Sequence, residues 1–171
     1  MSPVLAANII SFLGAVLMVA IGLIKNKNKI LTVQCFQFGM MGIGNLMLGG
    51  VTGFVSNLCS ILRNIVCIRG DFTLLWKLVF ISVQIVIASV VNTQGLLGLL
   101  PIFAAVIFTW FLDIKSDSGF KLVIISTSAM WMIYDYAIMN YVSFIFDILT
   151  ICSSIAGLCM LNGAAGKKQT V

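Results

Sequence analysis

Five acidic residues, all aspartates (Asp71, Asp113, Asp117, Asp135 and Asp147), face 10 Lys+Arg in a chain of 171 residues that has no histidine. Asp147 is the most informative of them. It sits inside the apolar run from Tyr141 to Met160, where a charge at a helix centre costs about 2.5–3.5 kcal/mol. Asn57 stands at a similar depth in the run from Val51 to Ile68. The two suit a polar wall that accepts hydrogen bonds from a hydroxyl or amine of a small solute. The competing reading is an interhelical hydrogen bond, worth about 0.6–2 kcal/mol. Trp131, Tyr134 and Asp135 follow at i, i+3 and i+4, one helical face. An aromatic beside a carboxylate suits sugar stacking or a cation–π contact, whereas an interfacial aromatic belt with a water-exposed acid accounts for Tyr134 and Asp135 equally well. With Asn45, these form the candidate substrate-binding set: Asn45, Asn57, Trp131, Tyr134, Asp135 and Asp147.

Arg63 lies five residues before the end of its apolar run. Its long side chain either snorkels to water or forms a gate with Ser60, Asn64, Ser153 and Ser154. Pro101 removes a backbone donor inside an apolar run, which implies a bend or a hinge. Catalysis has little to draw on. Histidine, the usual base and metal ligand, is missing, and the five cysteines fall in apolar runs with no C-x-x-C spacing. The expectation is no enzyme, no metal and no cofactor. Asn140, with Ser143 three residues on, reads as a helix cap, and the glycines from Gly39 to Gly53 read as close helix packing.

These residues must be held by helices in lipid. Apolar residues make up 61% of the chain and charged residues 9%, against about 45–50% and about 25% in a soluble domain, and mean hydropathy is +1.15. A soluble domain and a nucleic-acid reader are excluded. Apolar runs predict seven helices: Pro3 to Ile24, Ile30 to Leu48, Val51 to Ile68, Leu74 to Val91, Leu96 to Leu112, Phe120 to Ile138 and Tyr141 to Met160. The first reads as a retained anchor, because Lys25, Lys27 and Lys29 follow it and no cleavage signal does. Lysine and arginine alternate between connections: present after the first, third, fifth and seventh helices, absent from Gly49-Gly50, from Asn92 to Gly95 and from Met139-Asn140. Positive residues favour the cytoplasm, which predicts the N-terminus outside and the C-terminus inside.

A shift of 90 residues lays helix one on five, two on six and three on seven, and brings Asn45 onto Asp135, Asn57 onto Asp147, and Arg63-Asn64 onto Ser153-Ser154. One helix is left between the triplets, which makes them parallel repeats. The expected fold is all-α: seven transmembrane helices as two parallel three-helix bundles, residues 3–68 and 96–160, joined by a linker helix at 74–91.

That plan resembles the SWEET sugar facilitators and the PnuC-type vitamin transporters in helix order alone. In sequence the chain is similar to the YgjV family of bacterial inner-membrane proteins across nearly its whole length. The residues that carry this are Leu48-Gly49, the polar stretch Asn57 to Arg63, Leu99-Leu100-Pro101, Thr109-Trp110, Trp131 with Ile133, and Asp147. Ser60 stands where that family's asparagine is expected, and Ser11 takes the place of Pro101 in the first repeat. The YgjV resemblance implies the bacterial plasma membrane and a topology, and supplies no reaction. The expected function is a SWEET-like transporter or facilitator of a small neutral or cationic solute; the alternative is a non-transporting membrane assembly component. Expected partners are the lipid bilayer, a small polar solute and a second copy as homo-oligomer, with no nucleic acid.

Overall fold

A computed structural model describes residues 2–21, 27–70, 72–114 and 116–168. They form seven α-helices: α1 (Pro3–Ile21), α2 (Lys27–Met47), α3 (Val51–Arg69), α4 (Leu74–Val90), α5 (Leu96–Phe111), α6 (Asp117–Ala137) and α7 (Tyr141–Lys168). Lys25 lies outside the described residues. Most boundaries fall near the apolar limits, and the departures have local causes. α6 begins at Asp117, ahead of Phe120, because the Ser116 hydroxyl accepts the Gly119 N–H at 3.1 Å and caps the helix. α5 runs unbroken around Pro101, which sits early enough in the helix to cost one backbone bond, to Leu97.

Among the described residues two helices, Val51–Arg69 and Tyr141–Cys159, are long and apolar enough to cross a membrane, whereas the sequence predicts seven spans. For four of the other five helices the shortfall has two physical sources. α4 and α5 have 17 and 16 residues, short of the roughly 20 that match a bilayer core. α2 and α6 are diluted by polar residues such as Gln34, Gln37 and Asn45, or Lys121 and Asp135.

Burial is inverted relative to a protein in water. Ser11, Thr52, Ser56, Asn64, Asn140 and Ser143 are buried, while Leu5, Phe36, Leu75, Val90 and Leu96 are exposed. Apolar exteriors around polar interiors are what a lipid solvent favours.

The principal contacts close a ring: α1 packs on α2, α2 on α3, α3 on α5, α5 on α6, α6 on α7, and α7 on α1. α4 lies outside it against α3 and α5. Gln84 of α4 donates to Ser56 Oγ at 2.7 Å. At the far end of α4, Lys77 Nζ reaches the Trp110 carbonyl at 3.1 Å and pairs with Asp113.

The α2–α3 and α6–α7 turns share four backbone hydrogen bonds at a spacing of 90 residues. Leu48 N–H donates to Gly44 O at 3.2 Å and Ile138 N–H to Tyr134 O at 3.1 Å; Gly50 N–H donates to Asn45 O at 2.7 Å and Asn140 N–H to Asp135 O at 2.8 Å. The left-handed residue is Gly49 (φ +77°) in one and Met139 (φ +62°) in the other. Within these two turns, residues 90 apart therefore occupy equivalent places. The same spacing relates their neighbours. Asn8 of α1 accepts the Val142 N–H at 3.0 Å and donates to Met139 O at 3.2 Å, and a Cβ on Gly98 of α5 would lie 3.0 Å from Thr52 Oγ1.

Candidate functional site

The two turns deliver a polar cluster to the interior of the ring. Tyr134 of α6 is fully buried and its Oη accepts the Gly53 N–H at 3.1 Å. That donor belongs to the first turn of α3, where no intrahelical acceptor exists, so a side chain from the other half of the chain caps the helix. Glycine is required opposite it: a Cβ on Gly50 would lie 2.6 Å from Tyr134 Oη, and one on Gly53 2.7 Å from Tyr134 Cε1. Asn140 donates to Asn45 Oδ1 at 2.8 Å, and its own Oδ1 accepts the Ser143 N–H at 3.4 Å. The expected cap is present, and the same side chain also ties the second half to the first.

One level deeper, Asn57 is buried and donates to Gly53 O of its own helix at 3.0 Å. Gly42 leaves room for it: a Cβ there would stand 3.3 Å from Asn57 Cβ. Asp135 and Asp147 are 1% and 4% exposed. Among the described residues, Asp135 Oδ1, Asp147 Oδ2, Ser143 Oγ and Ser11 Oγ have no hydrogen-bond partner. No salt bridge among the described residues reaches either carboxylate.

The binding set thus divides. Asn45, Tyr134 and Asp135 gather at the turns, Asn57 and Asp147 sit one level deeper, and the half-buried Trp131 meets Tyr134 edge-on at 5.8 Å. The belt reading of Tyr134 and Asp135 is corrected, since both are inside. A groove of about 190 Å³ lies on α2 and α3, lined by apolar side chains such as Phe38, Phe54 and Leu58, and a crevice at Ser60, Arg63, Gln84 and Thr109 leaves no room for water. Neither is lined by Asp135 or Asp147.

The proposed gate also divides. Arg63 is 2% exposed, so it does not snorkel. Its Nε and Nη2 donate to Asn64 Oδ1 at 3.2 and 3.0 Å, and its Nη1 donates to Thr109 Oγ1 at 3.1 Å. The guanidinium lies 4.9 Å from the Phe108 ring centroid, a cation–π contact that offsets part of its burial. Asn64 in turn donates to Gln34 Oε1 at 3.1 Å. Ser60 and Ser154 are buried, but Ser153 faces outward and donates to Thr150 O at 3.0 Å. One turn of α7 carries its two serines on different faces, which the paired match to Arg63-Asn64 conceals.

The family profile of Imp-YgjV, described as bacterial inner membrane protein, matches residues 5–164. The chain belongs to that family. No curated protein and no solved structure matches it. Membership places this YgjV-family chain in the bacterial inner membrane, in accord with its apolar exterior.

The buried Thr52, Gln84 and Asn140 and the half-buried Asn8 are residues that the sequence reading left out or reduced to a cap. Each is an amide or hydroxyl within or beside an apolar run, and in lipid every such group needs a partner. That requirement is the signal by which they could be found. Among the described residues no three His, Cys, Asp or Glu side chains gather, so no transition-metal ligand set is on hand.

Proposed function

We propose that this YgjV-family chain is a carrier, not an enzyme, for a small neutral or cationic solute. In this reading all seven helices cross the inner membrane with the N-terminus outside. Residues 3–68 and 96–160 are two parallel three-helix units that rock about the interior polar cluster, with α4 as linker. The observation that carries it is the pair of buried carboxylates with unpartnered oxygens, Asp135 and Asp147. Equivalent places in the first half hold Asn45 and Asn57, which are hydrogen-bonded. The fold is therefore satisfied by an amide at these positions, and a costlier acid needs another reason. The matched turns and the ring of contacts support two units related by an axis along the membrane normal. Pro101 is the proposed hinge, and Arg63 with Ser60, Asn64 and Ser154 the proposed inner gate. Flux in proteoliposomes over a panel of sugars, amines and vitamins tests this. Transport of one class, lost in Asp147→Asn, is expected; no flux, or flux unchanged in that variant, overturns it.

A second reading, a non-transporting assembly component, is favoured by the close packing around Asp147. It requires co-purification with a stoichiometric partner and no flux of any solute.

A further inference from the structure

Most glycines between Gly39 and Gly53 answer to a neighbouring helix: a Cβ on Gly42, Gly44, Gly50 or Gly53 would stand 3.3 Å or less from an atom of another helix. Gly39 does not. Nothing lies within 4 Å of the place its Cβ would take. Glycine is the poorest helix former apart from proline, and in the body of α2 no contact among the described residues requires it. Its missing side chain opens the groove of about 190 Å³ between α2 and α3, walled by Phe38, Ile43, Phe54, Leu58 and Ile61. The groove faces outward, since Ile43 and Leu58 on its rim are exposed.

It also runs towards a basic end. Arg69 is exposed at the end of α3, and Lys29 is exposed at the adjoining start of α2. At 100° per residue Arg69 falls about 20° from Leu58 around the helix, so it shares the stripe that lines the groove, and it stands about 12 Å along the axis from Ile61. The exposed Phe36 and Leu62 flank the stretch between. Trp76 and Trp110 are both exposed at this end of the bundle, where Lys77 donates to the Trp110 carbonyl. Exposed indoles there fit the headgroup level. One leaflet of hydrocarbon is about 15 Å deep, so the groove receives the lower part of a chain that hangs from the level of Arg69.

We propose that the α2–α3 groove holds one acyl chain of an anionic phospholipid whose phosphate is bound by Arg69. Lipid tails are as apolar as the groove walls, so burial alone selects no lipid. The charge does, because a guanidinium takes two phosphate oxygens at once. A second copy of the chain is the poorer occupant. Two-fold pairing places the same patch on both subunits, which would bring Arg69 towards Arg69 and Lys29 towards Lys29. This site lies outside the interior polar cluster and stands whether or not the chain moves a solute.

The experiment is native mass spectrometry of the purified full chain, titrated in detergent with phosphatidylglycerol or with phosphatidylcholine of the same acyl chains, and with the melting temperature followed in parallel. Saturable retention of phosphatidylglycerol, about fivefold tighter than that of phosphatidylcholine, is expected, together with a higher melting temperature in the anionic lipid. Arg69→Gln should abolish the preference and Arg69→Lys should keep part of it. Gly39→Leu fills the groove from a position with open space around it and should weaken retention of both lipids severalfold. Lys121→Gln removes the same charge on α6, away from the groove, and should change neither. Should Gly39→Leu fail to fold, Leu58→Trp, from an exposed position on the opposite wall, fills the same space. Equal retention of the two lipids by the unaltered chain, or retention of phosphatidylglycerol indifferent to filling the groove, overturns the site. So does a dimer that Gly39→Leu disperses, which would assign the groove to a second copy.

Discussion

The α2–α3 corner and the α6–α7 corner share one backbone and differ in what it carries. Gly49, Gly50 and Gly53 in the first become Met139, Asn140 and Ser143 in the second, while Asn45 and Asn57 become Asp135 and Asp147. The first corner is stripped of side chains so that Tyr134 can enter it and accept the Gly53 N–H. The second keeps its side chains and accumulates oxygens that nothing in the fold satisfies. One half is shaped around a tyrosine from the other, and the other leaves carboxylate oxygens unpartnered. Because the backbone is common to both, each corner is a control for the other.

Exchanging residues between them should break the comparison most severely at Gly53. Gly53→Ser places a Cβ within 2.7 Å of both Asn45 Nδ2 and Tyr134 Cε1 and should destabilise the fold by about 3 kcal/mol. The reverse exchange, Ser143→Gly, should cost about 1 kcal/mol or less. Reversible unfolding in a denaturing detergent measures both, and equal losses would mean that the corners are not specialised. Next comes the amide–acid exchange. Asn57→Asp should lower stability by about 2–3 kcal/mol, whereas Asp147→Asn should leave stability unchanged or raise it by about 1 kcal/mol, since an amide satisfies the equivalent site in the first half. Loss of flux alongside retained stability in Asp147→Asn separates function from fold.

Smaller effects sharpen the same contrast. Tyr134→Phe removes the acceptor for the Gly53 N–H and should cost about 1–2 kcal/mol, with faster amide exchange at Gly53 as its local signature. Least of all, Met139→Gly should stabilise by about 1 kcal/mol by relieving a left-handed backbone at φ +62°. The mirror change Gly49→Met should destabilise by a similar amount in the same unfolding assay.

Much of the architecture was legible in the chain because lipid imposes simple rules. Apolar runs become helices, and polar residues within them turn inward, as Asn45, Asn57, Asp135 and Asp147 all do. At the α2–α3 and α6–α7 turns, residues 90 apart make four matching backbone hydrogen bonds. Rotation about a helix axis was less legible. Ser153 and Ser154 are neighbours in sequence, yet one faces out and the other in, because α7 contacts only α6 and α1 among its principal partners. Arg63 shows the same limit: its reach suits snorkelling, but Asn64, Thr109 and Phe108 hold it inside.

Composition and hydropathy alone determined the solvent, the helical class and the residues that burial would make expensive, since those depend on transfer energies summed along the chain. Which polar groups meet was decided by packing. Asn140 is bonded to Asn45 across 95 residues, and Tyr134 to Gly53 across 81. A hydrogen bond depends on a separation of about 3 Å, and only the closed ring sets that distance.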